Sequence, residues 1–140
     1  MVLENSVEEF VERFREYAAQ GQLYPQPENA VLLEFAAGGR VLYLFDRTGP
    51  YTARPGEARV IVHGVLSELA PAEDLQESLF SSGVSQLEGV GQITELQRGF
   101  LIVRCRLPLV LGVLEDRMPE VRVGDWIAFK TLAPVHGFVV

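Results

Sequence analysis

The spacing of glycine and proline constrains this 140-residue chain more than any other feature. From Asn29 onward, apolar runs rich in Val, Ile, Leu and Phe are cut every few residues by Gly or Pro. Helices tolerate neither residue in their interior, whereas strands joined by turns need both. Ala30–Ala36 and Arg40–Asp46 flank Gly38-Gly39 and read as a hairpin. Arg47–Gly56, with Gly49-Pro50 and Pro55-Gly56, reads as a loop, and Glu57–Leu69 as a long strand with Gly64 as a bulge. Five more strands are expected at Glu88–Leu96, Phe100–Leu107, Leu109–Leu114, Asp125–Thr131 and Val135–Val140. Arg98-Gly99, Pro108, Met118-Pro119 and Ala133-Pro134 separate them. The longest apolar run, Leu107–Leu114, contains Pro108 and Gly112 and falls far short of the ~20 residues of a membrane helix.

Two helices are expected beside these strands. In Ser6–Gln20, Val7, Phe10, Val11, Phe14 and Ala18 recur at helical spacing, with Tyr17 flanking, and Glu8, Glu12, Arg15 and Glu16 lie opposite. Ser6 is placed to cap the start, with Glu9 three residues on, and Gly21 is the expected stop. A second, shorter helix is expected over Pro71–Ser82, opened by Pro71 and the acids Glu73 and Asp74, with Leu75 and Leu79 on one face and Phe80 beside it. The expected class is therefore mostly β (α+β): an antiparallel barrel or sandwich, an N-terminal amphipathic helix, and one short helix between the halves. Residues 1–140 read as a single compact domain with sub-halves 1–70 and 84–140.

The chain carries 12 basic and 19 acidic residues, a net charge of −7, divided evenly between the halves. An acidic surface repels phosphate backbones and anionic membranes unless cations gather locally. One cysteine, Cys105, cannot form an internal disulfide, and the first residues are acidic where a secretory signal is basic. A cytoplasmic location is expected.

The last third has a rhythm of its own: Gly91-Gln92-Ile93, Gly99-Phe100-Leu101-Ile102-Val103, Val110-Leu111-Gly112, Val123-Gly124-Asp125-Trp126 and Gly137-Phe138-Val139-Val140. Over residues 88–140 this resembles the strand order of an S1-like OB barrel, a three-strand meander followed by a Val-Gly-Asp entry into the fourth strand. The resemblance implies an OB-like C-terminal part with its fifth strand at the chain end. Ala30–Leu69 either adds strands to the same sheet or forms a small barrel of its own. A shorter echo links Arg54-Pro55-Gly56-Glu57 and His63-Gly64-Val65 to Arg122-Val123-Gly124-Asp125 and His136-Gly137-Phe138. Its unequal spacing reads as similar strand entries rather than as a duplication.

Strand alternation selects one candidate binding face. Leu101, Val103, Cys105 and Leu107 point one way, and Phe100, Ile102, Arg104 and Arg106 the other. Ile127, Phe129 and Thr131 likewise oppose Trp126, Ala128 and Lys130. With the apolar faces inside, Phe100, Arg104, Arg106, Trp126 and Lys130 form a nucleic-acid-binding candidate, aromatic groups for stacking set among cations. The competing expectation packs Phe100 and Trp126 under the helices and pairs the arginines with Glu95, Glu115 and Asp116.

No catalytic residue, metal ligand set or cofactor fingerprint is expected. His63, His136 and Cys105 are far apart in sequence, without the close pair typical of zinc sites. Cys105 reads as a buried small hydrophobe. Glu8/Glu9, Glu73/Asp74 and Glu115/Asp116 read as helix-start or turn residues, and Gly38-Gly39 and Gly89-Val90-Gly91 as turn and strand glycines rather than a phosphate cradle. The expected function is a non-enzymatic binding or assembly protein, a homo-oligomer formed through sheet edges such as the C-terminal strand, with protein rather than membrane partners. A single-stranded nucleic-acid-binding module and a small enzyme using Cys105 and a histidine are the alternatives.

Overall fold

The computed structural model describes residues 4–114 and 119–140. Helix α1 spans Val7–Phe14, and a 3-10 turn follows at Arg15–Tyr17. Ten strands make one sheet: β1 Ala19–Leu23, β2 Leu32–Ala37, β3 Arg40–Asp46, β4 Gly56–Pro71, β5 Ser78–Gly83, β6 Gln86–Gln97, β7 Phe100–Arg104, β8 Pro108–Gly112, β9 Trp126–Thr131 and β10 His136–Val139.

The pairings close two five-stranded rings that share β4. One runs β1-β2-β3-β10-β4 and back to β1, the other β6-β7-β8-β4-β9 and back to β6. Both have the same order. Three consecutive strands form a meander, and a fourth returns antiparallel to the first. A fifth lies between third and fourth, parallel to the third: β10 beside β3 in one ring, β4 beside β8 in the other. The fifth strands are thus exchanged between the halves. Closure removes free edges, the main liability of an antiparallel sheet.

This topology explains the apolar run in β4. Val60 pairs with both Ala19 and Val139, and His63 with both Val110 and His136. A strand flanked on both edges and covered on both faces needs side chains that are apolar on both. Val60 and Val62 enter the main core inside the rings, with Leu101, Val103, Leu109, Leu111 and Phe129. Ile61 points outward to a second cluster with Phe10, Phe14, Phe100, Ile102, Val110 and Phe138, which α1 covers. Ser6 Oγ accepts from the Glu9 amide at 3.0 Å, as its position predicts. Arg13 fastens the helix to the β6–β7 turn, donating to Gln97 Oε1 and the Arg98 carbonyl and lying over the Phe14 and Phe100 rings.

Several expectations are corrected. The helix does not run to Gln20, because Ala19–Leu23 pairs with Gly56–Val60 of β4, and these ladder bonds outweigh one more helical turn. Gly21 is not a helix stop. It sits mid-strand, where a Cβ would meet the Ala36 carbonyl oxygen at 2.1 Å. No helix forms over Pro71–Ser82; β4 continues to Pro71 and Ser78–Gly83 is strand β5. That segment offers Leu75 and Leu79 for burial, and Leu79 reaches the core from the strand while Leu75 stays exposed. The bulge in β4 lies between Leu66 and Glu68 rather than at Gly64. The C-terminal strand is not an edge, being paired with β3 and β4. It joins the other ring instead of supplying the fifth strand of the β6–β9 ring. The sequence echo has a structural counterpart after all: Gly56 and Gly124, both with positive φ, stand at the entry to the fourth strand of their respective rings.

Candidate functional site

The expected face is assembled in part. Directly paired residues share a face, so Arg104, Gln92 and Trp126 form one row across β7, β6 and β9. Ser78, Val90, Ala128 and Ala70 form the next row, and Phe80, Glu88, Lys130 and Glu68 a third. The small side chains of the middle row floor a groove of about 380 Å³ along the outside of β5, β6, β9 and β4. Lys130 reaches toward Glu68 and Glu88, 3.6 and 3.9 Å away. Phe80 stands at the groove lip, 55% exposed.

Phe100 is not part of this face. Alternation places it outside the ring, as expected, but α1 covers that surface and buries it between Phe10 and Phe14. This removes one of the two aromatic rings of the expected nucleic-acid site and matches the competing expectation that Phe100 packs under a helix. Arg106 also turns away from it. Its backbone has φ 66°, its amide donates to Glu77 Oε1 and its Nε donates to the Gly38 carbonyl. Arg104 is exposed, while Trp126 and Lys130 are partly buried. Glu115 and Asp116, the expected partners of the arginines, lie outside the described residues.

Cys105 is buried among the core residues, and its Sγ lies within hydrogen-bond reach of the Ser78 and Val90 carbonyls. Burial pushes its thiol up to about 12, and the charge of Glu77 adds to the effect. Such a thiol is the opposite of an activated nucleophile, and neither histidine is a hydrogen-bond partner.

The two histidines, the only ones in the chain, converge elsewhere. His63 of β4 and His136 of β10 are direct partners in the antiparallel ladder. Both point Nδ1 at Glu4, just ahead of α1. His63 Nδ1 bonds Glu4 Oε2, and His136 Nδ1 lies 2.8 Å from the same oxygen. Arg47 Nε donates to the other oxygen, Oε1, at 2.8 Å. Burial alone would raise the Glu4 pKa, but hydrogen bonds from His136 and His63 outweigh it and hold the carboxyl well below its usual range. Burial pushes His63 below its ordinary 6.5 despite Glu4, which favours the neutral ring. The ionised carboxylate can only accept, so the His63 proton sits on Nδ1. Nε2 is then a bare acceptor, buried without a partner against the Phe10 and Phe100 rings.

Spacing could not find this cluster, because its members are 59 and 73 residues apart along the chain. The His-Gly echo was the available signal: His63-Gly64 and His136-Gly137 mark the strands that cross there. Comparison with protein families, with curated proteins and with solved structures finds no match to this chain.

Proposed function

We propose that the chain is a non-enzymatic, OB-like assembly module of the cytoplasm that pairs with a second copy of itself through β5. One observation carries this reading: nine of the ten strands belong to a closed ring, and β5 belongs to neither. Among the described residues β5 pairs with β6 alone. The start of its other edge is engaged, since Arg40 Nε donates to the Leu79 carbonyl. Phe80, Ser81, Ser82 and Gly83 remain exposed, with Val84 beyond them. A short open edge beside an exposed aromatic ring favours strand addition by a like edge, and a two-fold axis makes such a contact self-complementary.

The shared ring order supports the OB-like description, because the meander β6-β7-β8 and the Val-Gly-Asp entry to β9 fall where the sequence resemblance expects them. OB barrels that take oligonucleotides use the face of their second and third strands. In the β6–β9 ring those are β7 and β8, whose outer face α1 occupies. Together with Lys130 between two carboxylates, this favours a protein partner over a nucleic acid.

Light scattering across a dilution series tests the proposal. A dimer that dissociates on dilution is expected; monomer at every concentration refutes it. Titration of Trp126 fluorescence with a short oligonucleotide at low salt separates the alternatives, and salt-reversible quenching would favour the nucleic-acid module.

A further inference from the structure

We propose that Glu4, His63 and His136 form a binding site for a divalent transition-metal ion of the zinc class. The donor atoms, one from each residue, lie within 4.8 Å of one another. Two imidazole nitrogens and one carboxylate oxygen are one of the recurring donor sets for such an ion when one position is left to water.

The geometry divides the work of the carboxylate. Oε1 is held by Arg47 and also lies 3.0 Å from His136 Nδ1, while Oε2 faces both Nδ1 atoms and is the nearer oxygen to His136. An ion bound to Oε2 and the two Nδ1 atoms leaves Arg47 as the outer partner that orients Glu4. The β4–β10 ladder already aims both rings at one oxygen, so the donors need only spread from hydrogen-bonding to coordination separation to admit the ion. His63 is 2% exposed and His136 is 29% exposed at its side chain, so an ion enters from the His136 side and keeps a water there.

Binding moves the His63 proton from Nδ1 to Nε2, because the metal takes the Nδ1 lone pair. That N–H then faces aromatic rings and no oxygen acceptor. Outer-shell acceptors of this kind are worth about 10- to 100-fold in affinity. The ion also shares Glu4 with the positive charge of Arg47. Affinity well below that of four-ligand structural zinc sites follows, with selectivity for imidazole-seeking ions over magnesium or calcium.

The test is calorimetric titration of the full chain, stripped with a chelator, against zinc chloride, with cobalt chloride followed by its visible spectrum. One zinc per chain is expected, together with a raised unfolding temperature and a cobalt spectrum of low coordination number. His136→Ala removes a partly exposed ligand and should weaken zinc by at least about 10-fold. Glu4→Gln, which keeps the shape of the side chain, should do the same. Absence of stoichiometric zinc binding by the unmodified chain overturns the proposal. Binding that survives both His136→Ala and Glu4→Gln overturns it as well, by placing the ion elsewhere. Nitrogen NMR gives a readout independent of stability: zinc must shift the Nδ1 resonances of both histidines, and a shift confined to Nε2 contradicts the site.

Discussion

His63 and His136 face each other across the β4–β10 ladder and turn the same ring nitrogen toward one carboxylate oxygen of Glu4. The ladder belongs to the ring closed by exchange of the last strand, so the contact exists only when both halves of the chain are in place. It also ties the start of α1 to the sheet. Side-chain chemistry and topology meet at this point, and it dominates the stability expectations.

Glu4→Ala should destabilise the fold by about 1–3 kcal/mol, because it leaves the His63 Nδ1–H buried without an acceptor and removes the partner of Arg47. Urea unfolding in the presence of a chelator measures this. A loss under a few tenths of a kcal/mol would mean that the cluster contributes nothing to holding α1.

The acid limb of stability follows from the same residues. The unfolded imidazole of His63 titrates near 6.5, and the folded one titrates below it. Below that pH the unfolded chain therefore binds a proton that the folded chain refuses, so stability falls as pH drops through 6.5. The slope from this group is at most about 1.4 kcal/mol per pH unit. Glu4, held below its ordinary 4.5, adds a further loss as pH falls through that value. Metal-free chemical denaturation between pH 8 and pH 4 should show both limbs, and a flat profile would contradict the assignment.

Cys105 supplies the alkaline limb. Its folded thiol is pushed from the ordinary 9.0 to about 12, so the unfolded chain loses a proton that the folded chain keeps, and stability falls as pH rises through 9. At pH 8 the native thiol should react with a disulfide reagent only as fast as the chain opens. Immediate reaction would show that it is neither buried nor shielded.

Phe14 is fully buried beneath α1 against Phe10 and Phe100. Phe14→Ala should cost about 3–5 kcal/mol and release the helix from the sheet. Gly91→Ala probes the interior of the β6–β9 ring, where a Cβ would lie 2.5 Å from the Arg104 carbonyl oxygen. It should cost about 1–3 kcal/mol through overpacking. Denaturant midpoints of the two variants check both values, and a midpoint unchanged in either would contradict the packing described for that site.

The strands were legible in the sequence because period-two alternation and Gly/Pro punctuation are local signals. The hairpin at Gly38-Gly39, the capped start of α1 at Ser6 and the inward set Leu101, Val103, Cys105 and Leu107 all match the structure. Alternation does not tell what covers the outer face, so Phe100 read either as part of an exposed binding face or as packed under a helix, and α1 lies over it. The segment after Pro71 had good helix-start chemistry and a short apolar face in Leu75, Leu79 and Phe80, but pairing with β6 decided its state and buries Leu79 alone of the three. The Glu4–His63–His136 cluster was hidden because strand exchange, a long-range property, is what brings its members together.

Pairing through β5 is tested most directly by single cysteines on its open edge. Cys105 is the one native cysteine and is buried, so Ser81→Cys or Ser82→Cys introduces an exposed thiol. Under mild oxidation, dimers linked by a disulfide should form rapidly with at least one of these variants, and slowly with Val123→Cys, an exposed position on the approach to β9. Equal or absent cross-linking at all three positions would contradict assembly through β5.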